Sequence, residues 1–125
     1  MMRLLPPFAV DSVPGPEMAD WCQALRDDNP IHLDRAAAER LGFGPYRVNP
    51  GPANLAYLLN MVMIDDPDAE IARVEASFLA NLLEGDRAVA VGELAAPDRV
   101  TASLHRPRDG EPVVTAVIEL RRPAP

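Results

Sequence analysis

The stretch Asp27-Asp28-Asn29-Pro30-Ile31-His32 sets a carboxylate and an imidazole five residues apart, with a proline between them. Five is the wrong separation for neighbours on a helix face, where partners lie three or four apart. A stiff reversal can still aim both side chains at one point. Proline fixes its own φ and holds the preceding residue extended, so Asn29-Pro30 reads as a cap followed by the first residue of a helical turn. A carboxylate and an imidazole converging on one water are suited to taking a proton from it and returning one. The plainer reading has Asp27 capping a turn and His32 hydrogen-bonded in a core, and the surrounding pattern has to decide between them.

The neighbouring segments are built to hold that stretch in place. Glu17–Leu25 contains no breaker and spaces Met18, Trp21, Cys22 and Leu25 along one helix face, delivering the chain directly to Arg26 and Asp27. Asp34 is a good N-cap for the alanine-rich residues 35–41, and Gly42 stands where a left-handed C-terminal residue is common. Gly44, Pro45, Asn49, Pro50, Gly51 and Pro52 then form a loop. Residues 53–64 are apolar almost all the way round a helical wheel, interrupted only by Asn54, Tyr57 and Asn60, so this helix is expected to be buried on most sides. Its polar stripe reads equally as pocket lining or as groups satisfied across a subunit contact.

After the turn 65–68 the period changes to two. Ala72, Val74, Ala76 and Phe78 alternate with Arg73, Glu75 and Ser77, as in a strand with one wet face. Gly85-Asp86 marks a turn, 88–94 reads as the next strand, and 100–104 pairs with 113–120 across Arg108-Asp109-Gly110-Glu111. Residues 4–10 form a short edge strand interrupted by Pro6 and Pro7, and the tail 121–125 is expected to fray. Helices come first, one of them nearly all apolar, and antiparallel strands follow. That order predicts an α+β domain spanning 1–125, a curved antiparallel sheet wrapped around a central buried helix.

Composition removes several function classes. The chain has 125 residues and a formal charge of −7, with 48% apolar and 25% charged residues, the balance of a globular domain. An acidic surface without basic clusters interleaved with aromatics excludes nucleic acid as a partner. No apolar run reaches the roughly 20 residues of a membrane helix. The single cysteine, Cys22, reads as a small core residue and permits no intrachain disulfide, so a cytoplasmic setting is expected. His105 reads as a surface residue and the acidic run 65–70 as a solvated turn, so no metal site is expected.

Asp27-x-Asn29-Pro30-x-His32, followed by Asp34 and the alanine-rich helix ending at Gly42-Phe43, resembles the signature of MaoC-like (R)-specific enoyl thioester hydratases. Pro50-Gly51-Pro52 stands where that family commonly has His-Gly-Met, and Phe78 with Gly85-Asp86 resembles the strand and turn after its central helix. The likeness covers most of the chain and is most specific over 27–32. It implies a hotdog fold, a homodimer, and an acyl thioester on coenzyme A or an acyl carrier protein as substrate, with no cofactor. By position, Asp27 and His32 would activate or eliminate water at the β-carbon. Gly51 would offer its N–H to the thioester oxygen, at a helix start where free N–H groups and the dipole favour an enolate-like oxygen.

Arg26, Asn29, Asn54 and Tyr57 complete the candidate substrate-binding set. Two departures matter: Leu25-Arg26 replaces a usual Ser-Gly pair, and Pro50 replaces the loop histidine. A guanidinium beside the pair can grip a carboxylate or phosphate in bidentate fashion. This keeps a second function open, a hotdog thioesterase that adds an amine such as glycine to an enoyl thioester and then hydrolyses it to release a β-amino acid. A third is a module that only binds acyl chains. Attraction of an acidic carrier to this acidic chain would need a basic patch, for which Arg35, Arg40 and Arg47 are the candidates.

Overall fold

A computed structural model describes residues 2–122. In chain order the elements are β1 (Arg3–Leu4), β2 (Phe8–Val10), α1 (Glu17–Leu25), a 3₁₀ turn (Pro30–His32), α2 (Arg35–Arg40), α3 (Gly51–Asp65), β3 (Glu70–Phe78), β4 (Ala88–Ala96), β5 (Arg99–Arg106) and β6 (Glu111–Arg121). The local signals act where they stand. Asn29 accepts from the Ile31 N–H at 3.3 Å with Pro30 opening the turn, and Asp34 accepts from the Ala36 N–H at 2.9 Å to start α2. Gly42 follows α2 at φ 90°.

All strand pairings are antiparallel, in the order β1-β4-β5-β6-β3, with β2 also on β4. Register stacks the inward residues into rows across the sheet. Gly92, Ala102, Ala116 and Ala76 stand opposite one another, flanked by the bulkier rows Ala90, Leu104, Val114, Phe78 and Leu94, Val100, Ile118, Val74. The small row forms a trough, and α3 packs against the sheet there. A Cβ on Gly92 would lie 2.6 Å from the terminal methyl of Met61 and 3.3 Å from the Thr101 carbonyl oxygen, so a side chain here would crowd the helix and the neighbouring strand. Leu58, Met61 and Val62 are buried on that face of α3, in one core with Val100, Leu104, Val114 and Ile118.

Three sequence expectations are corrected. The segment 4–10 is two short strands, because Leu5 turns into the core while Pro6 and Pro7, lacking N–H groups, leave the ladder. α3 is longer than 53–64 but less enclosed than its composition implied: the sheet covers one face, while Asn60 is exposed and Ile64 is 65% exposed. In the tail 121–125, Arg121 still belongs to β6 and Arg122 pairs with Asp66 at 2.8 Å, and 123–125 lie outside the described residues. Among the described residues no helix is long and apolar enough to cross a membrane.

Candidate active site

The end of α1 sets the position of Asp27. Arg26 takes the left-handed conformation, φ 54° and ψ 39°, and this lets the Arg26 and Asp27 N–H groups return to the carbonyls of Gln23 and Cys22 at 3.3 and 2.9 Å. Chain direction reverses there, and a left-handed residue is what such a helix end requires. Asp27 Oδ1 then accepts from the Asn29 N–H at 3.0 Å, which fixes the carboxylate and leaves Oδ2 directed at His32.

His32, 8% exposed, is held from its other side. Its Nδ1 lies 2.7 Å from the Val48 carbonyl oxygen. A carbonyl only accepts, so Nδ1 carries the proton and donates, and in the neutral ring Nε2 presents a lone pair. Nε2 is 3.4 Å from Asp27 Oδ2. In that neutral form an imidazole lone pair faces a carboxylate oxygen. The Asp27 side chain is 37% exposed, so the pair is open to solvent on that side.

The Val48 carbonyl also connects the pair to the mouth of α3, which begins three residues later at Gly51. Within the first turn of α3, Pro52 has no N–H, and Ala53 and Asn54 donate to the Pro50 carbonyl at 3.0 and 3.2 Å. No side chain caps this end. The Gly51 N–H is therefore the donor of that turn without a partner among the described residues. The half-exposed ring of Phe78 rests on Gly51, where a Cβ would come within 3.2 Å of it.

The other candidates separate. Asn29 builds the turn with its side chain rather than facing the pair. Asn54 is buried, and its Oδ1 accepts from Asn49 Nδ2 at 2.7 Å. Tyr57 stacks on Phe8 with centroids 6.4 Å apart, and burial pushes its hydroxyl above the usual phenol range, opposed by a hydrogen bond with Asn49. No hydrogen bond links Asn54 or Tyr57 to Asp27 or His32 among the described residues. Asn49 was read only as a turn residue, and its bridging role depends on burial that no local pattern announces. Cys22 is a buried core residue whose thiol burial pushes up, so it is not activated as a nucleophile. His105, expected at the surface, is partly buried and hydrogen-bonded to Ser103 Oγ at 2.8 Å.

Of the arginine patch, Arg35 and Arg47 converge on Glu84, at 2.7 and 3.1 Å, with the Arg35 side chain still 61% exposed. The Arg35 guanidinium first, and then Arg47, hold the Glu84 carboxyl down at about 2. Glu84 was not singled out in the sequence, where it stood as one acidic residue before a Gly-Asp turn.

Neither a protein-family model nor a curated protein sequence matches the chain. Solved structures do. An R-hydratase from Pseudomonas aeruginosa, PhaJ1, is 17% identical with a TM-score of 0.82, covering 100% of this chain and 90% of its own. The HadBC complex, a 3R-hydroxyacyl-ACP dehydratase from Mycobacterium tuberculosis, is 18% identical with a TM-score of 0.77, covering 97% and 95%. A MaoC-like dehydratase from Rhodospirillum rubrum is 20% identical with a TM-score of 0.68, covering 98% and 95%. At these identities the likeness is one of fold. One antiparallel sheet curled around α3 is that fold, and the chain has the hotdog architecture its MaoC-like sequence motif implied.

Proposed function

We propose that this protein is an enoyl thioester hydratase, equally a 3-hydroxyacyl dehydratase in the reverse direction, with Asp27 and His32 acting on one water. The observation that carries this reading is the pair of acceptors, His32 Nε2 and Asp27 Oδ2, facing each other at 3.4 Å while Nδ1 is committed to Val48. A water donating one hydrogen to each is held with its oxygen lone pairs outward, ready to attack an electron-poor β-carbon. As the C–O bond forms, the water's proton passes to the pair. The electrons run to the thioester oxygen, and the unpaired Gly51 N–H at the α3 mouth donates a hydrogen bond to it as it gains negative charge. A proton delivered to the α-carbon completes the addition. The acyl group is carried on coenzyme A or an acyl carrier protein, and two copies of the chain form the working unit.

Crotonyl-coenzyme A offered with and without glycine, with products identified by mass, tests the reading. A 3-hydroxyacyl product is expected in both arms. Arg26, exposed and without an ion-pair partner among the described residues, is the feature that favours an amine-adding thioesterase. Release of a free N-substituted β-amino acid would install that reading instead, and inert substrate would leave an acyl-binding module. Asp27→Asn and His32→Ala should each lower turnover by about a hundredfold or more. Full activity in either variant refutes the assignment.

A further inference from the structure

His32 is useful only while its ring stays registered against a carbonyl on a different segment; the Val48 N–H ties the segments by donating to the Ile31 carbonyl at 2.8 Å, and a side-chain cluster at Glu84 braces them further. Glu84 follows Leu83, whose backbone bridges to Val48. Its side chain is 10% exposed. Oε1 accepts from Arg35 Nε at 2.7 Å and from the Arg47 backbone N–H at 2.8 Å. Oε2 accepts from Arg35 Nη2 at 3.1 Å and from Arg47 Nε and Nη2 at 3.3 and 3.1 Å. The Glu84 N–H in turn donates to the Arg47 carbonyl at 2.9 Å. Arg35 is the first residue of α2, three after His32, and Arg47 immediately precedes Val48. Behind the cluster, buried Gly15 leaves room for it: a Cβ there would collide with Glu84 Oε2 and lie 2.6 Å from Arg47 Nη2.

We propose that Glu84 is a positioning residue for His32: by gripping Arg35 and Arg47 at once, its carboxylate fixes the turn that carries the ring against the carbonyl that sets the ring's tautomer. Glu84 touches neither substrate nor reacting atoms. Its effect runs through the Val48–His32 hydrogen bond, which keeps the Nε2 lone pair presented to Asp27. The kinetic part of this rests on the hydratase reading above, whereas the structural part does not.

The test uses Glu84→Gln, with Arg35→Gln as a second variant whose replaced side chain is 61% exposed and so removes little packing. Long-range ¹H–¹⁵N correlation spectra of the histidine rings, assigned with His32→Gln, report the tautomer without any turnover. The intact protein should show His32 in the Nδ1–H form and both variants a mixture. In hydration assays kcat should fall about tenfold or more with KM little changed, the pattern of a displaced catalytic group. Variants that lower only the melting temperature, with the His32 tautomer and kcat unchanged, overturn the proposal and leave Glu84 a purely structural ion pair. If the intact protein hydrates nothing, the hydratase reading falls while the tautomer spectra still decide the role of Glu84.

Discussion

Arg26, at φ 54°, is the only non-glycine residue with positive φ among those described, and it immediately precedes Asp27. A side chain in that conformation costs about 1–2 kcal/mol through contact of Cβ with the carbonyl. Glycine escapes that strain but loses more freedom on folding. Arg26→Gly should therefore stabilise the protein by about 0.5–1 kcal/mol, read as a higher urea midpoint at unchanged m-value. The resemblance had glycine at this position, and the backbone explains why: the reversal into the aspartate demands a left-handed residue. Strain retained beside the proposed catalytic pair is a reason to look for use of the side chain. Arg26→Gly should also raise KM for substrates bearing a free carboxylate or phosphate near the acyl group, with kcat preserved. An unchanged KM would leave Arg26 without a binding role. At this scale the sequence was readable wherever one residue acts on its neighbours, as Asn29 and Asp34 do when they cap the turns they begin. It was unreadable where the partner is remote in sequence, as with Val48, sixteen residues from His32.

Helix α3 and the sheet meet through the trough of small residues, and that geometry predicts an overpacking defect. Gly92→Val would place its Cβ against the Met61 methyl and 3.3 Å from the Thr101 carbonyl oxygen; the methyl can swing aside but the backbone oxygen cannot. A loss of about 1–3 kcal/mol is expected in denaturant unfolding, despite valine's better strand propensity. Periodicity told that Val74 and Ala76 face inward in β3, because that depends on the chain's own alternation, but it misplaced Ala72, which a register shift between Ile71 and Arg73 leaves exposed while Ile71 packs on the core. The trough depends on the register of four strands at once, which no single segment encodes. The same contrast explains the arginines: the sequence offered Arg35 and Arg47 as part of a basic patch, but Glu84, far along the chain, takes both up. That clamp between α2 and the loop before α3 gives a pH signature. The Glu84 carboxyl sits at about 2 in the folded chain against an ordinary 4.5, so its contribution is fully present above about 4.5 and is lost as pH falls toward 2. Urea midpoints measured from pH 7 down to pH 3 should decline in the intact protein and decline less steeply in Glu84→Gln; equal slopes would show that the clamp is not what acid breaks.

For the whole molecule, the two-copy unit proposed above would join at an open edge of the sheet. β3 ends the sheet with an open edge. Beside it lie Phe78, Leu79 and Ile64, 55, 57 and 65% exposed, apolar area whose covering is favourable. Antiparallel pairing of β3 with itself, centred on Val74, sets Arg73 of one copy opposite Glu75 of the other, twice across the two-fold axis. Both side chains are exposed and free to exchange their contact within one chain for one across the seam. Glu75→Arg would align only positive charges there and should weaken the dimer by about tenfold, whereas the swap Arg73→Glu with Glu75→Arg restores opposite charges and should recover it. Sedimentation equilibrium across a dilution series reads both. The seam runs beside Phe78, which rests on Gly51, so hydration per protomer should fall as the Glu75→Arg protein is diluted through its dissociation constant. Activity per protomer that stays constant while the dimer dissociates would mean that one chain holds the whole site, and the two-copy unit would then be dispensable to the chemistry.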